Sequence, residues 1–137
     1  MGAGYGSPSV RDGEIYVLDR IGEEKDVLLC LELATGKELW KHEYDAPGSV
    51  SHDGSRTAPT VDESHVYTVG MMGHLLCVDR KTHQPVWTKN ILADFGVNKP
   101  TWMKRIKCWY VWSSRKKVCS IHLKEKKSKR IKCPLIL

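Results

Sequence analysis

The sequence predicts an all-β chain: about two four-stranded antiparallel blades of a β-propeller, followed by a basic C-terminal tail that is not propeller. Three observations carry this. A strand–turn–strand stretch, Leu29 to Trp40, recurs at Leu76 to Trp87, with Trp40 and Trp87 47 positions apart and Cys30 and Cys77 at the same spacing. Internal periods of this size belong to propellers and solenoids. Each copy holds four β-rich runs joined by turn formers within about 40 residues, the make-up of one blade. Composition then breaks after Trp102: all 11 glycines precede residue 103, and the only acid beyond it is Glu125.

The elements follow in order. Ser7-Pro8-Ser9-Val10 reads as a short strand, and Asp12-Gly13 as a hairpin turn, because both residues tolerate positive φ. Glu14 to Asp19 is rich in β-formers. Ile21 to Asp26 reads as a charged loop. In the third strand Leu29, Leu31 and Leu33 point one way and Leu28 and Cys30 the other, so both faces are apolar, as in a sheet covered on both sides. The turn at Thr35-Gly36 leads to a fourth strand ending in Trp40.

A linker rich in Gly, Ser, Pro and Asp runs from Tyr44 to Thr57. The second copy starts at Ala58-Pro59-Thr60-Val61, turns at Asp62-Glu63-Ser64, and continues through His65–Val69 and Leu75–Asp79 to Trp87. His83 stands where the first copy has Gly36, and histidine accepts left-handed φ better than most residues. Pro85 fits an edge strand, where a missing N–H faces outward. Pro8 to Pro59 and Tyr16 to Tyr67 are each 51 residues, against 47 for the later pairs. The four-residue excess is assigned to the first copy's charged loop, where an insertion leaves the sheet intact.

Asn90 to Trp102 reads as a connection with a Phe95-Gly96 turn, and Pro100-Thr101-Trp102 as the entry to a third copy that does not follow. The expected organisation is a partial propeller over 1–102, with blade one at about 5–43, blade two at about 57–89 and the start of a third at 100–102. Residues 103–137 form a basic tail, expected to be disordered or the product of a shifted reading frame.

Charge supports that division. Residues 1–102 carry 10 Lys+Arg against 15 Asp+Glu, a net of −5; residues 103–137 carry 12 against one, a net of +11. No apolar run reaches the length of a membrane span, and the first residues lack the basic and apolar regions of a secretory signal. The five cysteines are an odd number, and Cys30 and Cys77, at equivalent strand positions, read as small buried hydrophobes.

Cys30, Glu32, Thr35, Gly36 and Trp40 in the first copy, and Cys77, Asp79, Thr82, His83 and Trp87 in the second, follow the pattern Ala-x-Asp-x-x-Thr-Gly-x-x-x-Trp. This resembles the PQQ-type β-propeller repeat family, and the stretch from Ser55 to Asp79 resembles its BamB-like, non-enzymatic bacterial branch. The resemblance covers roughly residues 4–102. It implies a ring of seven or eight blades, so the body is expected to be a truncated piece of about two. It also implies a cell-envelope or periplasmic parent that engages a protein partner through blade loops such as Tyr44–Thr57.

The family's dehydrogenases imply an alternative. There PQQ stacks on a central tryptophan and is held with a vicinal cysteine pair and a calcium site. This chain has no Cys-Cys pair, and Trp40 and Trp87 end outer hairpins, where they read as blade-packing residues. No catalytic, cofactor-binding or metal-ligating residue is therefore assigned, and PQQ and calcium enter only under the alternative.

Other signals fall to plainer readings. Asp94-Phe95-Gly96 mimics a kinase magnesium motif but lacks that fold's other parts. Gly2, Gly4 and Gly6 precede a strand, whereas a phosphate loop opens a helix. His52, Asp53 and Ser55 lie too close in sequence to act as a triad. His65 and His74 flank strands and read as surface or capping residues. Cys108, Cys119, His122 and Cys133 lack the two close pairs of a structural zinc site. The basic tail with Trp109, Tyr110 and Trp112 offers a second alternative, nucleic-acid binding, which ranks below the scaffold reading.

Overall fold

The computed structural model describes residues 6–50, 54–95, 107–113 and 116–122. They divide between two units, Met1–Lys99 and Pro100–Leu137.

The first unit holds two four-stranded antiparallel sheets, each in sequence order. The first comprises β1 (Ser9–Arg11), β2 (Glu14–Ile21), β3 (Lys25–Glu32) and β4 (Glu38–Asp45). The second comprises β5 (Thr60–Val61), β6 (His65–Val69), β7 (His74–Asp79) and β8 (Pro85–Asn90), and α1 (Ile91–Phe95) follows directly. Turn chemistry explains the connections. Asp12 and Gly13 both hold positive φ, 50° and 80°, between β1 and β2. Gly36 and His83 hold φ of 71° and 59° at equivalent corners of the two sheets. Pro85 opens β8, an edge strand.

The registers repeat as well. Tyr16 pairs with Cys30, and Cys30 with Trp40; Tyr67 pairs with Cys77, and Cys77 with Trp87. Each outer hairpin carries a bulge just after its cysteine, at Cys30/Leu31 and at Cys77/Val78. One extra residue on the outer strand, Leu39 or Val86, is absorbed there, and both are exposed.

The core lies between the sheets. Tyr16, Leu18, Leu28 and Cys30 from the first pack with Val66, Leu76 and Val78 from the second, and Trp40, Tyr44 and Val61 close the margin. Leu28 and Cys30 thus supply the inward face of β3. Leu33 departs from its expected place, because β3 ends at Glu32 and Leu33 begins the turn, 49% exposed.

The charged segment 21–26 is not a surface loop. Both strands run on through it, leaving a turn of three residues at 22–24. The extra rungs are Asp19 opposite Val27, Arg20 opposite Asp26 and Ile21 opposite Lys25, and β4 extends the second with Tyr44 opposite Asp26. The four-residue excess is therefore taken up as three added rungs and a tighter turn than the second sheet has. Side chains alternate along the continued strands, so the inward face stays continuous.

In the second unit β9 (Lys107–Ser113) and β10 (Lys116–His122) form an antiparallel ladder from Lys107↔His122 to Ser113↔Lys116. In this register Val111 pairs with Val118 and Cys108 with Ile121, and the β-formers Trp109, Tyr110, Val111 and Trp112 suit a strand. The expectation of a disordered tail meets these paired strands in its described part. Pro100–Trp102, Glu125 and Cys133 lie outside the described residues.

Candidate functional site at the blade joint

The repeated motif residues divide between turn closure and packing. In both copies the residue at the glycine position donates its N–H to the acidic residue's carbonyl: Gly36 to Glu32 at 2.8 Å and His83 to Asp79 at 2.9 Å. The Asp79 carboxylate accepts the N–H groups of Thr82 and Lys81, each at 2.8 Å, and these bonds hold its pKa below the ordinary range. The Glu32 carboxylate accepts from the Thr35 hydroxyl. Cys30 and Cys77 are buried outside any disulfide, and burial pushes the Cys30 thiol up to about 11.

Trp40 meets the second sheet. Its indole stacks on the His83 imidazole, with centroids 4.9 Å apart and planes 17° apart, while Tyr16 approaches it edge-on at 6.0 Å. The tryptophan of one blade thus packs on the corner of the next. Trp87, the second copy's equivalent, lies 6.4 Å from Tyr67. His83 keeps the left-handed backbone of the glycine it replaces and adds a flat ring for Trp40 to cover.

Arg80, next to Asp79, reaches back to the first blade at the same corner. It donates to Tyr16 Oη at 2.9 Å, Asp12 Oδ2 at 2.9 Å and Glu14 Oε2 at 2.8 Å, and to the carbonyls of Asp62 and Glu63. Tyr16 also donates to Glu14. Burial works against the Arg80 charge, but the bonds to Glu14, Tyr16 and Asp12 outweigh it and raise its pKa. Glu14 shows the opposite balance: burial opposes ionisation, and Tyr16 and Arg80 reverse it, so its pKa falls.

The other end of the joint is built on the added Arg20–Asp26–Tyr44 rung. Arg20 Nη1 donates to Asp26 Oδ1 at 2.7 Å, with the two side chains 0% and 1% exposed. Arg20 Nη2 donates to the carbonyls of Ala46 at 2.9 Å and Gly48 at 2.6 Å, which fixes the start of the inter-blade loop. Burial raises the Asp26 pKa, and Arg20 only partly offsets it. Gly70 of the second blade lies against this pair: a Cβ there would stand 2.2 Å from Asp26 Oδ2 and 3.0 Å from Tyr44 Oη. Only a residue without a side chain allows that approach.

His74 opens β7 beside this cluster, its ring 5.8 Å from that of Tyr44. Its Nε2 lies 3.0 Å from Asn90 Nδ2. Asn90 Oδ1 accepts the N–H groups of Leu92 at 3.0 Å and Ala93 at 3.1 Å, capping α1. Burial lowers the pKa of His74, and Asp26 opposes that shift only in part.

The structure brings Trp40 and His83 together and holds Cys30 and Cys77 in strands that flank the inter-sheet core; Glu32, Thr35 and Gly36 stay at an exposed corner. Tyr44, expected in the linker, is a residue of β4 and part of the joint. Among the described residues no three His, Cys, Asp or Glu side chains form a metal-binding group, and no helix is long and apolar enough to cross a membrane. His52, Asp53 and Gly96 lie outside the described residues. Sequence reasoning missed Arg20, Asp26, Gly70 and Arg80.

Comparison with known proteins points one way for the family. A family model described as outer membrane protein assembly factor BamB matches residues 1–93. The dehydrogenase subunit of a quinone alcohol dehydrogenase from Gluconacetobacter polyoxogenes is 31% identical over 100 residues, covering 66% of this chain and 13% of that protein. A cytochrome c 1-butanol dehydrogenase from Thauera butanivorans is 28% identical over 92 residues, covering 64% of this chain and 13% of its own length. The BamB structure from Moraxella catarrhalis aligns with 62% of this chain and 26% of its own, at 16% identity and a TM-score of 0.46. The chain thus spans about 13% of the length of the curated relatives it matches. The repeated sheets, their shared registers and the match over residues 1–93 place the chain in the PQQ-repeat β-propeller family of the outer membrane protein assembly factor BamB.

Proposed function

We propose that this chain is part of a non-catalytic scaffold, a protein-interaction module of a bacterial cell envelope. One observation carries the reading: the first copy's motif tryptophan is used to pack on the corner of the second blade. One face of Trp40 is taken by His83, and the neighbouring Arg80 is bonded to Asp12, Glu14 and Tyr16. The family model's description, an outer-membrane assembly factor, agrees with an envelope role. The partner surface in this proposal is the inter-blade loop that Arg20 anchors at Ala46 and Gly48, with Pro47 exposed between them.

A second reading, a piece of a quinoprotein dehydrogenase, is favoured by the names of the relatives matched in sequence. PQQ and calcium would then be required. The motif residues do not fit a quinone: Trp40 is stacked on His83, and Cys30 and Cys77 are buried on separate strands.

Dye reduction separates the two. The full-length protein, given PQQ, calcium and alcohol or sugar substrates, is expected to leave an electron-acceptor dye unreduced, and reduction would contradict the scaffold reading. A photoreactive residue at position 47 is expected to crosslink to an envelope protein in cells.

A further inference from the structure

His74 and Asn90 stand opposite each other in the second blade, His74 opening β7 and Asn90 closing β8. Asn90 also caps α1, the start of the segment that leaves the blade. Three contacts hold its amide in one orientation. Oδ1 accepts the Leu92 N–H at 3.0 Å and the Ala93 N–H at 3.1 Å, and Nδ2 donates to the Met72 carbonyl at 3.4 Å. A flipped amide would set its oxygen against the Met72 carbonyl and its N–H groups against the two helix amides. The cap matters because α1 has five residues, and so short a helix gains little from its own hydrogen bonds.

That orientation fixes the proton on His74. Asn90 Nδ2 is a donor, so His74 Nε2, 3.0 Å away, accepts from it. A neutral imidazole that accepts at Nε2 carries its proton on Nδ1. A second proton can enter only at Nε2, on the lone pair that the Asn90 N–H occupies. The imidazolium would then aim one N–H at another, and its Nδ1–H has no acceptor among the described residues. Around the ring stand Tyr44 of β4, with centroids 5.8 Å apart, Asp26 of β3 and Arg20 of β2. Burial disfavours the charged ring, Asp26 favours it and Arg20 opposes it. Asp26 is already bonded to Arg20 at 2.7 Å, so the pair offers the ring little net charge.

We propose that His74 is a proton-sensitive latch on α1: the neutral ring holds Asn90 in the orientation that caps the helix, and the protonated ring breaks that hold and uncaps it. The proton comes from solvent and takes the Nε2 lone pair, and the Asn90 Nδ2–H···Nε2 bond is lost. Asn90 can then satisfy the imidazolium only by turning Oδ1 toward it, which strips the Leu92 and Ala93 N–H groups of their acceptor. His74 is a positioning residue that acts on the helix through Asn90. Acid thereby loosens the segment leading out of the second blade, while the backbone bond from Ile91 N–H to the Gly73 carbonyl, 2.9 Å, still ties its start to the β7 turn.

NMR of the full chain, taken from about pH 7 to about pH 5, tests this through the ring 15N shifts of His74 and the amides of Leu92 and Ala93. The expected result is the Nδ1–H tautomer at neutral pH. As the ring titrates, the two amides should shift with the same midpoint. Their hydrogen exchange, corrected for the intrinsic effect of pH, should speed up about 2- to 30-fold, the range for losing an N-cap. Asn90→Asp separates the latch from general acid loosening, since a carboxylate caps a helix as well as asparagine does and also accepts from an imidazolium. In that variant neutral His74 should switch to the Nε2–H tautomer, and the two amides should stay capped through its titration. The wild-type titration decides the case by itself if the variant fails to fold. The Nε2–H tautomer in the wild type would overturn the proposal, as would Leu92 and Ala93 amides that ignore the His74 titration. Loss of protection shared equally by Leu28 and Cys30 would overturn it too, because the sheets would then be opening as a whole.

Discussion

Removing Asp26 should be the most damaging single truncation at the joint. Asp26→Ala leaves the fully buried Arg20 guanidinium without its anion. Breaking a buried pair from one side costs about 3–5 kcal/mol. Two features favour the lower end. Arg20 keeps its bonds to the Ala46 and Gly48 carbonyls, and Asp26 is itself poorly compensated, since burial raises its pKa despite Arg20. The expected loss is therefore about 3 kcal/mol. With a urea dependence of about 1–3 kcal/mol per molar, the unfolding midpoint should fall by roughly 1–3 M. The companion variant Arg20→Met with Asp26→Leu replaces both charges by apolar groups of similar volume. It should lie within about 1 kcal/mol of the wild type or above it. The measurement is urea unfolding followed by tryptophan fluorescence and circular dichroism. A loss below about 1 kcal/mol for Asp26→Ala, the range of exposed ion pairs, would refute the buried-pair reasoning.

Other outcomes follow from the same contacts. Gly70→Ala drives a methyl into Asp26 Oδ2 and Tyr44 Oη and should lower stability by about 1–3 kcal/mol in the same urea assay. Between pH 7 and 5 stability should fall. Burial holds the pKa of His42 and His74 below the ordinary value of about 6.5, so the unfolded chain binds more protons as pH drops through that value. His74→Gln should reduce that slope, and an unchanged slope would remove His74 from the account. Cys30 and Cys77 should react with thiol reagents only as fast as the sheets open, with sites assigned by mass spectrometry; prompt labelling of either in the native protein would contradict its burial.

The fold was legible because repetition and turn chemistry agree. Asp12-Gly13, Thr35-Gly36 and the spacing of Trp40 and Trp87 locate the hairpins without tertiary information. His83 was legible as a left-handed corner because few other residues adopt that backbone. The joint was less so. Arg20 and Asp26 resemble any surface charges, since local sequence carries no sign of burial. The segment between them has loop composition, and only the paired geometry reveals three added rungs. Gly70 looks like a turn glycine until the Asp26 carboxylate is placed against it. Arg80 reads as an exposed turn residue because its partners in the first blade lie more than 60 positions away. Contacts between repeats are long-range in sequence, so a periodic pattern predicts that they exist without naming who makes them.

The central claim is that consecutive blades are joined by the tryptophan of one and the corner of the next. A double-mutant cycle with Trp40→Ala and His83→Gly tests it, since glycine keeps the left-handed corner while removing the stacked ring. The contact predicts a coupling energy of about 0.5–1.5 kcal/mol. Additive losses, with no coupling between the two positions, would contradict the joint described here.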